Sequence, residues 1–263
     1  MRNIFTKIAD LARAVAGKPP MPPKTAAIVL AAGASTRMGG DTPKQLIEVC
    51  DKPIVIHSLL AFEKSDYISD IILVVPEGYE RDYRVLAKSY GISKISNVVA
   101  GGETRNKSAA KGFNKLGADV KYVAIHDAAR CLVTPEIIDR VCMAAVKYKA
   151  ASAATRCTDT VKVSGKNKFI DRTEDRNHVW LAQTPQVFLC DLYRAASYIA
   201  SEASLDPTDD NSLIENINHN VRLVECGKYN MKITTPEDLT VAEAILNERK
   251  TSPSPLPDDE DEI

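Results

Sequence analysis

Thr25-Ala-Ala-Ile-Val-Leu30 followed by Ala31-Ala-Gly-Ala-Ser-Thr-Arg-Met-Gly-Gly-Asp-Thr-Pro-Lys-Gln45 is the stretch whose reading decides the fold of this 263-residue chain. Ala27 to Leu30 is a short apolar run without alternation, which predicts a strand covered on both faces in a parallel sheet. Ala31, Ala32 and Gly33 are small enough for the backbone to come close to a ligand, and Gly33 tolerates a left-handed φ. Backbone N–H groups in such a turn form an anion-binding concavity. Arg37 and Lys44 add two positive charges, with Pro43 restricting how the chain delivers the lysine. A structural glycine turn with two solvated cations is the plain alternative; the combined string favours a phosphate site.

Neither common nucleotide fingerprint is present. After Gly33 the chain has Met38-Gly39-Gly40 with no Lys-Ser or Lys-Thr following, so it is not a P-loop, and a single glycine at the turn is not G-x-G-x-x-G.

Outward from this stretch, strand and helix patterns alternate. Asp70–Val75, Ile95–Val99 and Tyr122–Ile125 read as buried strands, and Ile54–Lys64, Arg81–Tyr90, Thr104–Leu116 and Pro135–Lys149 as helices, the last with proline in its first turn. This is the βαβ alternation of an α/β, doubly wound, mostly parallel Rossmann-like sheet. Ligands of such sheets bind outside the carboxyl ends of the strands, and Gly33, Gly101 and Asp127 each follow a predicted strand. From Asp159 to Val179 the pattern changes. Thr160–Val163 and Lys168–Ile170 alternate around a turn at Ser164–Asn167, which predicts a hairpin projecting from the sheet.

Length suits one large domain. Residues 251–263 hold five acids and no base, leaving residues 1–250 with 34 cations against 30 acids, a net of +4. That mild excess suits a small anionic substrate and is too weak for nucleic acid. The division expected is an N-terminal extension (1–24), a domain (25–248) with an arm at about 157–181, and a disordered acidic tail (249–263) with Pro253, Pro255 and Pro257. In the extension, Ile4, Ile8, Leu11 and Val15 share a helical face among basic residues. It is not a secretory signal, because Asp10 and Arg13 interrupt any apolar core; an organellar presequence and a bacterial extension lying on the domain or a membrane surface both stay open. No stretch is long enough to span a bilayer. Six scattered cysteines, without metal-ligand spacing, read as reduced thiols of a cytoplasmic protein.

The string A-A-G-x-x-x-R-M-G with P-K-Q after it resembles the 2-C-methyl-D-erythritol 4-phosphate cytidylyltransferase family of nucleotidyltransferases. Further blocks follow in that family's order: Gly101-Gly102-Glu103-Thr104-Arg105 with Ser108, His126-Asp127-Ala128-Ala129-Arg130, Asp175-Arg176-Asn177, Gln183-Thr184-Pro185-Gln186, Thr208-Asp209-Asp210, and Asn230-Met231-Lys232-Ile233-Thr234 before Pro236-Glu237-Asp238-Leu239. The likeness runs from about Thr25 to about Asn247. Cys131 departs from it, standing where the family usually has proline; a small residue tolerated in a loop is the plainer reading than a redox role.

The resemblance implies a nucleotidyltransferase fold and transfer of CMP from CTP to 2-C-methyl-D-erythritol 4-phosphate, releasing pyrophosphate, in isoprenoid precursor synthesis. It implies a nucleotide pocket from Ala31, Ala32, Gly33, Gly101, Gly102, Glu103, Ser108, Ala128 and Thr184. Acceptor binding falls to Asp127, Arg130, Thr160, Arg176 and Lys232. In this family the hairpin arm embraces a second subunit, so Thr160 and Arg176 would serve the neighbour's pocket in a homodimer; a surface hairpin of a monomer is the alternative.

Charge indicates the chemistry. A phosphate monoester is mostly dianionic at pH 7, its second pKa being about 6, so the nucleophile arrives deprotonated and needs no general base. The difficulty is a dianion approaching a triphosphate, which preorganised cations and a metal relieve. Arg37 and Lys44 are therefore candidates for transition-state stabilisation, with Arg176 and Lys232, by resemblance, holding the acceptor. Asp127 is the candidate ligand of Mg²⁺, or else a salt-bridge partner of Arg130, and Asn230 could approach the same metal. His126 reads as a packed, hydrogen-bonded residue, and Trp180 and Phe188 as packing. Two other functions stay open: cytidylyl transfer to ribitol 5-phosphate, and a catalytically silent nucleotide-binding regulator, against which Arg37 and Lys44 count.

Overall fold

Thr25–Leu30 forms β1, buried along almost its whole length, in the interior of the sheet that organises the molecule. The structure is a computed structural model that describes residues 22–33, 43–205 and 207–251. The amphipathic N-terminal segment up to residue 21, Arg37 with the rest of 34–42, and the acidic run lie outside the described residues.

After β1 come the two-residue strands β2 (Glu48–Val49) and β3 (Lys52–Pro53), α1 (Ile54–Lys64), β4 (Ile68–Val75), α2 (Glu80–Ser89), β5 (Ile95–Ala100), α3 (Arg105–Phe113), β6 (Tyr122–Asp127), α4 (Pro135–Tyr148) and β7 (Ala150–Arg156). The arm strands β8 (Lys162–Ser164) and β9 (Ile170–Thr173) follow, then β10 (Trp180–Leu189), α5 (Cys190–Glu202), α6 (Asp210–Asn216), β11 (Arg222–Glu225) and α7 (Pro236–Thr251). The main sheet has the order β11-β7-β10-β6-β1-β4-β5. Its pairings are parallel except along β10, which runs antiparallel to both β6 and β7.

Because successive side chains of a strand face opposite ways, β1 feeds two cores. Ala27 and Val29 pack under α1, α2 and α4 with Leu59, Phe62, Tyr83 and Val141. Ala26 and Ile28 pack on the other face under α3, α5 and α6 with Phe113, Tyr193 and Ile214. This double cover explains the unbroken apolar reading of the strand. A third cluster joins Val49, Ile54, Cys131 and Ile233 to Ala242 and Ile245 of α7.

The predicted elements are present with small shifts. The helix expected to reach Leu116 ends at Phe113, and its start is capped by the Thr104 hydroxyl, which accepts from the Lys107 amide at 3.2 Å. The hairpin strands sit about two residues later than expected, because the turn closes through Lys168 N–H to the Gly165 carbonyl with Lys168 at φ 61°. Helix α7 runs to Thr251, so residues 249–251 are helical, not tail.

Candidate active site

The carboxyl ends of β1, β5 and β6 bring the loops after Leu30, Ala100 and Asp127 to one rim of the sheet. There they enclose a cavity of about 410 Å³ lined by Ala32, Gly33, Lys44, Gly102, Glu103, Ser108, Asp127 and Lys232 among the residues singled out from sequence. Arg105, which ends the Gly101–Arg105 block and has no role in the sequence reading, also lines it. Ala31, Gly101, Ala128 and Thr184, expected in the pocket, do not line the cavity. Ala31 and Ala128 are fully buried, and Ala129, not Ala128, faces the cavity.

Asp127 closes β6 with its carboxylate between two cations. Oδ1 accepts from Arg105 Nε at 3.0 Å and Oδ2 from Lys232 Nζ at 2.7 Å. Burial alone would raise this carboxyl, and the charges of Arg105 and Lys232 more than reverse that, holding it well below the usual carboxylate range. The Asp127–Arg130 salt bridge considered from sequence does not form. Arg130 donates instead to the carbonyls of Asn230 (2.9 Å) and Ala182 (3.3 Å). Asn230 makes no hydrogen bond to Asp127; its buried amide donates to Gln183 Oε1 and the Thr184 carbonyl, both at 2.9 Å.

Thr184 supports the site from behind. Its hydroxyl accepts from the Asp127 amide at 3.1 Å and bonds His126 Nδ1 at 3.0 Å. His126 is fully buried, tilted against Phe62, and its pKa is pushed down to about 3 by burial. It is a packed residue, as read from sequence.

The two glycines of the second loop are required by space. A Cβ on Gly101 would overlap that of Ala32, and one on Gly102 would lie 2.5 Å from Lys107 Cβ. Ser108 ties this loop to α3, accepting from the Gly102 amide and donating to the Thr104 carbonyl, each at 2.9 Å. Glu103 pairs with Lys107 at 2.5 Å on the exposed side. Gly33 does not use its left-handed freedom; it offers its carbonyl to Gln45 Nε2 at 3.1 Å, and a Cβ there would meet only that nitrogen, at 3.7 Å.

Lys44 reaches across to the Ile233 carbonyl at 2.9 Å, so the P-K-Q turn and the segment carrying Lys232 meet at the cavity. Arg176 and Thr160 lie elsewhere in the same chain. Both are exposed near the arm, with Arg176 Nη1 donating to the Thr158 carbonyl at 3.0 Å, and neither lines the cavity. Trp180 packs at the base of the arm with the Arg156 guanidinium 4.4 Å from its ring, while Phe188 is core. Cys131 is buried under α7 and its thiol is pushed up to about 12 by burial, which suits a packed residue and not a reactive one.

Among the described residues no three His, Cys, Asp or Glu side chains converge as a metal cage. Asp127 is the one buried carboxylate on the described cavity wall. Such a donor set fits Mg²⁺ only where substrate phosphates and water supply most of the ligands.

The family model for 2-C-methyl-D-erythritol 4-phosphate cytidylyltransferase matches residues 25–248. The chain belongs to that family. It is 41% identical over 228 residues to the 2-C-methyl-D-erythritol 4-phosphate cytidylyltransferase of Pelotomaculum thermopropionicum, covering 86% of this chain and 96% of the relative. To the enzyme of that name from Lachnoclostridium phytofermentans it is 42% identical over 231 residues, covering 86% and 98%. Among solved structures, 4-diphosphocytidyl-2C-methyl-D-erythritol synthase from Anaerococcus prevotii superimposes with a TM-score of 0.77 at 30% identity, covering 85% of this chain and 96% of that one. As a member of the cytidylyltransferase family the chain is a nucleotidyltransferase, with the α/β fold of its solved relatives. No helix among the described residues is long and apolar enough to cross a membrane.

Proposed function

We propose that the cavity at the ends of β1, β5 and β6 is where the family's reaction takes place: CMP is transferred from CTP to 2-C-methyl-D-erythritol 4-phosphate, giving 4-diphosphocytidyl-2-C-methyl-D-erythritol and pyrophosphate for isoprenoid precursor synthesis. The observation that carries the placement is the convergence of Lys44, Arg105, Asp127 and Lys232 on one wall beside the small-residue turn at Ala32 and Gly33.

In this reading the acceptor phosphate is the nucleophile, already deprotonated, and the α-phosphorus of CTP is its target. Lys44, with Arg37, stabilises the charge that builds up on the transferring phosphoryl group and the departing pyrophosphate. Lys232 exchanges part of its contact with Asp127 for the incoming phosphate. Mg²⁺, when bound, neutralises triphosphate charge, and Asp127 is the residue that would hold it. Gly102 and Ser108 shape the pocket for the base, where backbone groups can tell cytosine's amine edge from uracil's carbonyl edge.

The arm adds a second subunit to this reading. Phe169 is 76% exposed and Ile170 64%, an apolar tip that a partner protomer would cover. Arg176 and Thr160 would then complete the neighbour's site, which accounts for their absence from the cavity of their own chain. Six cysteines that form no disulfide support a cytoplasmic setting.

The deciding experiment incubates the purified chain with CTP and Mg²⁺, offering 2-C-methyl-D-erythritol 4-phosphate and ribitol 5-phosphate separately, and follows pyrophosphate release. Preference for the methylerythritol acceptor is expected. Preference for ribitol would keep the chemistry and move the substrate, and silence with both would leave a nucleotide-binding regulator.

A further inference from the structure

The Thr208-Asp209-Asp210 block has no part in the mechanism above, yet its last residue is wired into the cavity. Asp210 is fully buried at the start of α6. Its Oδ2 accepts from Arg105 Nη1 at 2.5 Å and its Oδ1 from the Tyr193 hydroxyl at 2.8 Å. Gln186 of β10 fixes the helix start from the other side, its Oε1 accepting from the amides of Asp210 (3.0 Å) and Asn211 (3.2 Å). Arg105 therefore spans two carboxylates, Asp210 at its back and Asp127 at the cavity.

The two cations on Asp127 are thus held very differently. The Lys232 side chain is 38% exposed and its ammonium turns on a flexible stem. Arg105 presents a rigid planar fork, and its second anchor is a carboxylate with no exposure at all. When an acceptor phosphate draws Lys232 away, Asp127 keeps its orientation only if Arg105 does not follow the same negative charge. A buried counter-charge behind the guanidinium opposes that movement.

We propose that Asp210 is a positioning residue for cytidylyl transfer: it retains Arg105 on Asp127 while Lys232 engages the acceptor. This rests on the cavity being the reaction site. Removing such a support costs about 10- to 100-fold in activity.

The test compares Asp210→Asn, Asp210→Glu, Arg105→Lys and the double variant Asp210→Asn/Arg105→Lys, assayed as full chains well below their melting temperatures. Asp210→Asn should lower kcat per folded protein by about 10- to 100-fold, with the KM for CTP within about threefold of wild type. Asp210→Glu, which keeps the charge, should recover most of the loss. The double variant should fall no more than about twofold below Arg105→Lys, since both residues act through one contact. Wild-type kcat in folded Asp210→Asn, no recovery in Asp210→Glu, or losses that multiply in the double variant would each overturn the proposal. Should Asp210→Asn fail to fold by circular dichroism, Tyr193→Phe removes one hydrogen bond from the same carboxylate. It should lower kcat at least about threefold in protein that stays folded at the assay temperature despite a stability loss of about 1–3 kcal/mol, and an unchanged kcat would overturn the proposal equally. Failure of the functional reading looks different, because the wild-type chain would then release little or no pyrophosphate with 2-C-methyl-D-erythritol 4-phosphate as acceptor.

Discussion

Lys232 and Asp127 meet at 2.7 Å across 105 residues of chain, so the cation assigned to the acceptor phosphate is already paired before any substrate arrives. Lys232→Ala leaves Asp127 to Arg105 alone and removes the exchangeable charge. Pyrophosphate release should fall by about a hundredfold or more, with the larger effect when the acceptor is varied at saturating CTP. A near-normal rate would remove Lys232 from the transfer step.

Lys44→Ala should separate chemistry from stability. The lysine donates to the Ile233 carbonyl, a partly buried contact whose loss costs about 1 kcal/mol, or a few degrees of melting temperature. Turnover should drop at least about a hundredfold. Steady-state kinetics and a thermal melt on one preparation check both halves.

Gly102→Ala tests the close approach of the second loop to α3. The added methyl would meet Lys107 Cβ at 2.5 Å and the Lys107 carbonyl carbon at 3.0 Å, the latter being helix backbone. A stability loss of about 1–3 kcal/mol is expected, together with weaker CTP binding as the loop is displaced. Unaltered melting and affinity would mean that the loop relaxes freely.

His126 makes stability depend on pH. Its pKa is 6.5 when unperturbed and about 3 in the folded chain, so it is neutral when folded and takes up a proton on unfolding throughout that window. The stability it contributes is complete above pH 6.5 and is lost as pH falls toward 3, at about 1.4 kcal/mol per unit. Urea midpoints at pH 7 and pH 5 should differ by about 2 kcal/mol from this residue. In His126→Gln that part of the pH dependence should vanish.

The arm reading is tested by mixing. Arg37→Ala and Arg176→Ala proteins, each impaired alone, should regain part of the activity when co-refolded, because a heterodimer contains one pocket with both arginines intact. No recovery would mean that each chain serves its own pocket.

How much of this was legible in the sequence follows from which contacts are local. The strands β1, β4 and β6 announced themselves through apolar runs because both faces of the sheet are covered there, whereas β5, read from sequence as a buried strand, is the edge strand of the sheet, carries Ser96 and Asn97, and has no fully buried residue. Strand β7 did not announce itself: Ala150–Arg156 is mostly alanine, a weak strand former, although its first five residues are buried. Strand β10 was hidden by Gln183, Thr184 and Pro185, polar or non-donating residues at the irregular stretch of its pairing with β7. Of the residues that charge and family blocks single out, Lys44, Asp127 and Lys232 line the cavity. The link from Arg105 to Asp210 was not, because it joins the starts of two helices 105 residues apart and no periodicity records it. Thr184 and Ala128, expected to line the pocket, are buried and do not line the cavity, since adjacency in a block does not say which residue of a strand end faces it.

The Lys44–Ile233 contact couples function to the integrity of the whole chain. Ile233 is completely buried in the cluster beneath α7, and its carbonyl receives a lysine that follows the first strand. Early and late segments therefore complete the cavity together, and a chain in which α7 has peeled away, even with its sheet still paired, would lose the carbonyl that anchors Lys44 there while Arg105 stayed on its carboxylates. Heat or denaturant should accordingly extinguish catalysis at the onset of detachment of the last helix, ahead of the sheet's collapse, making enzymatic assay the earlier reporter of damage than far-ultraviolet dichroism.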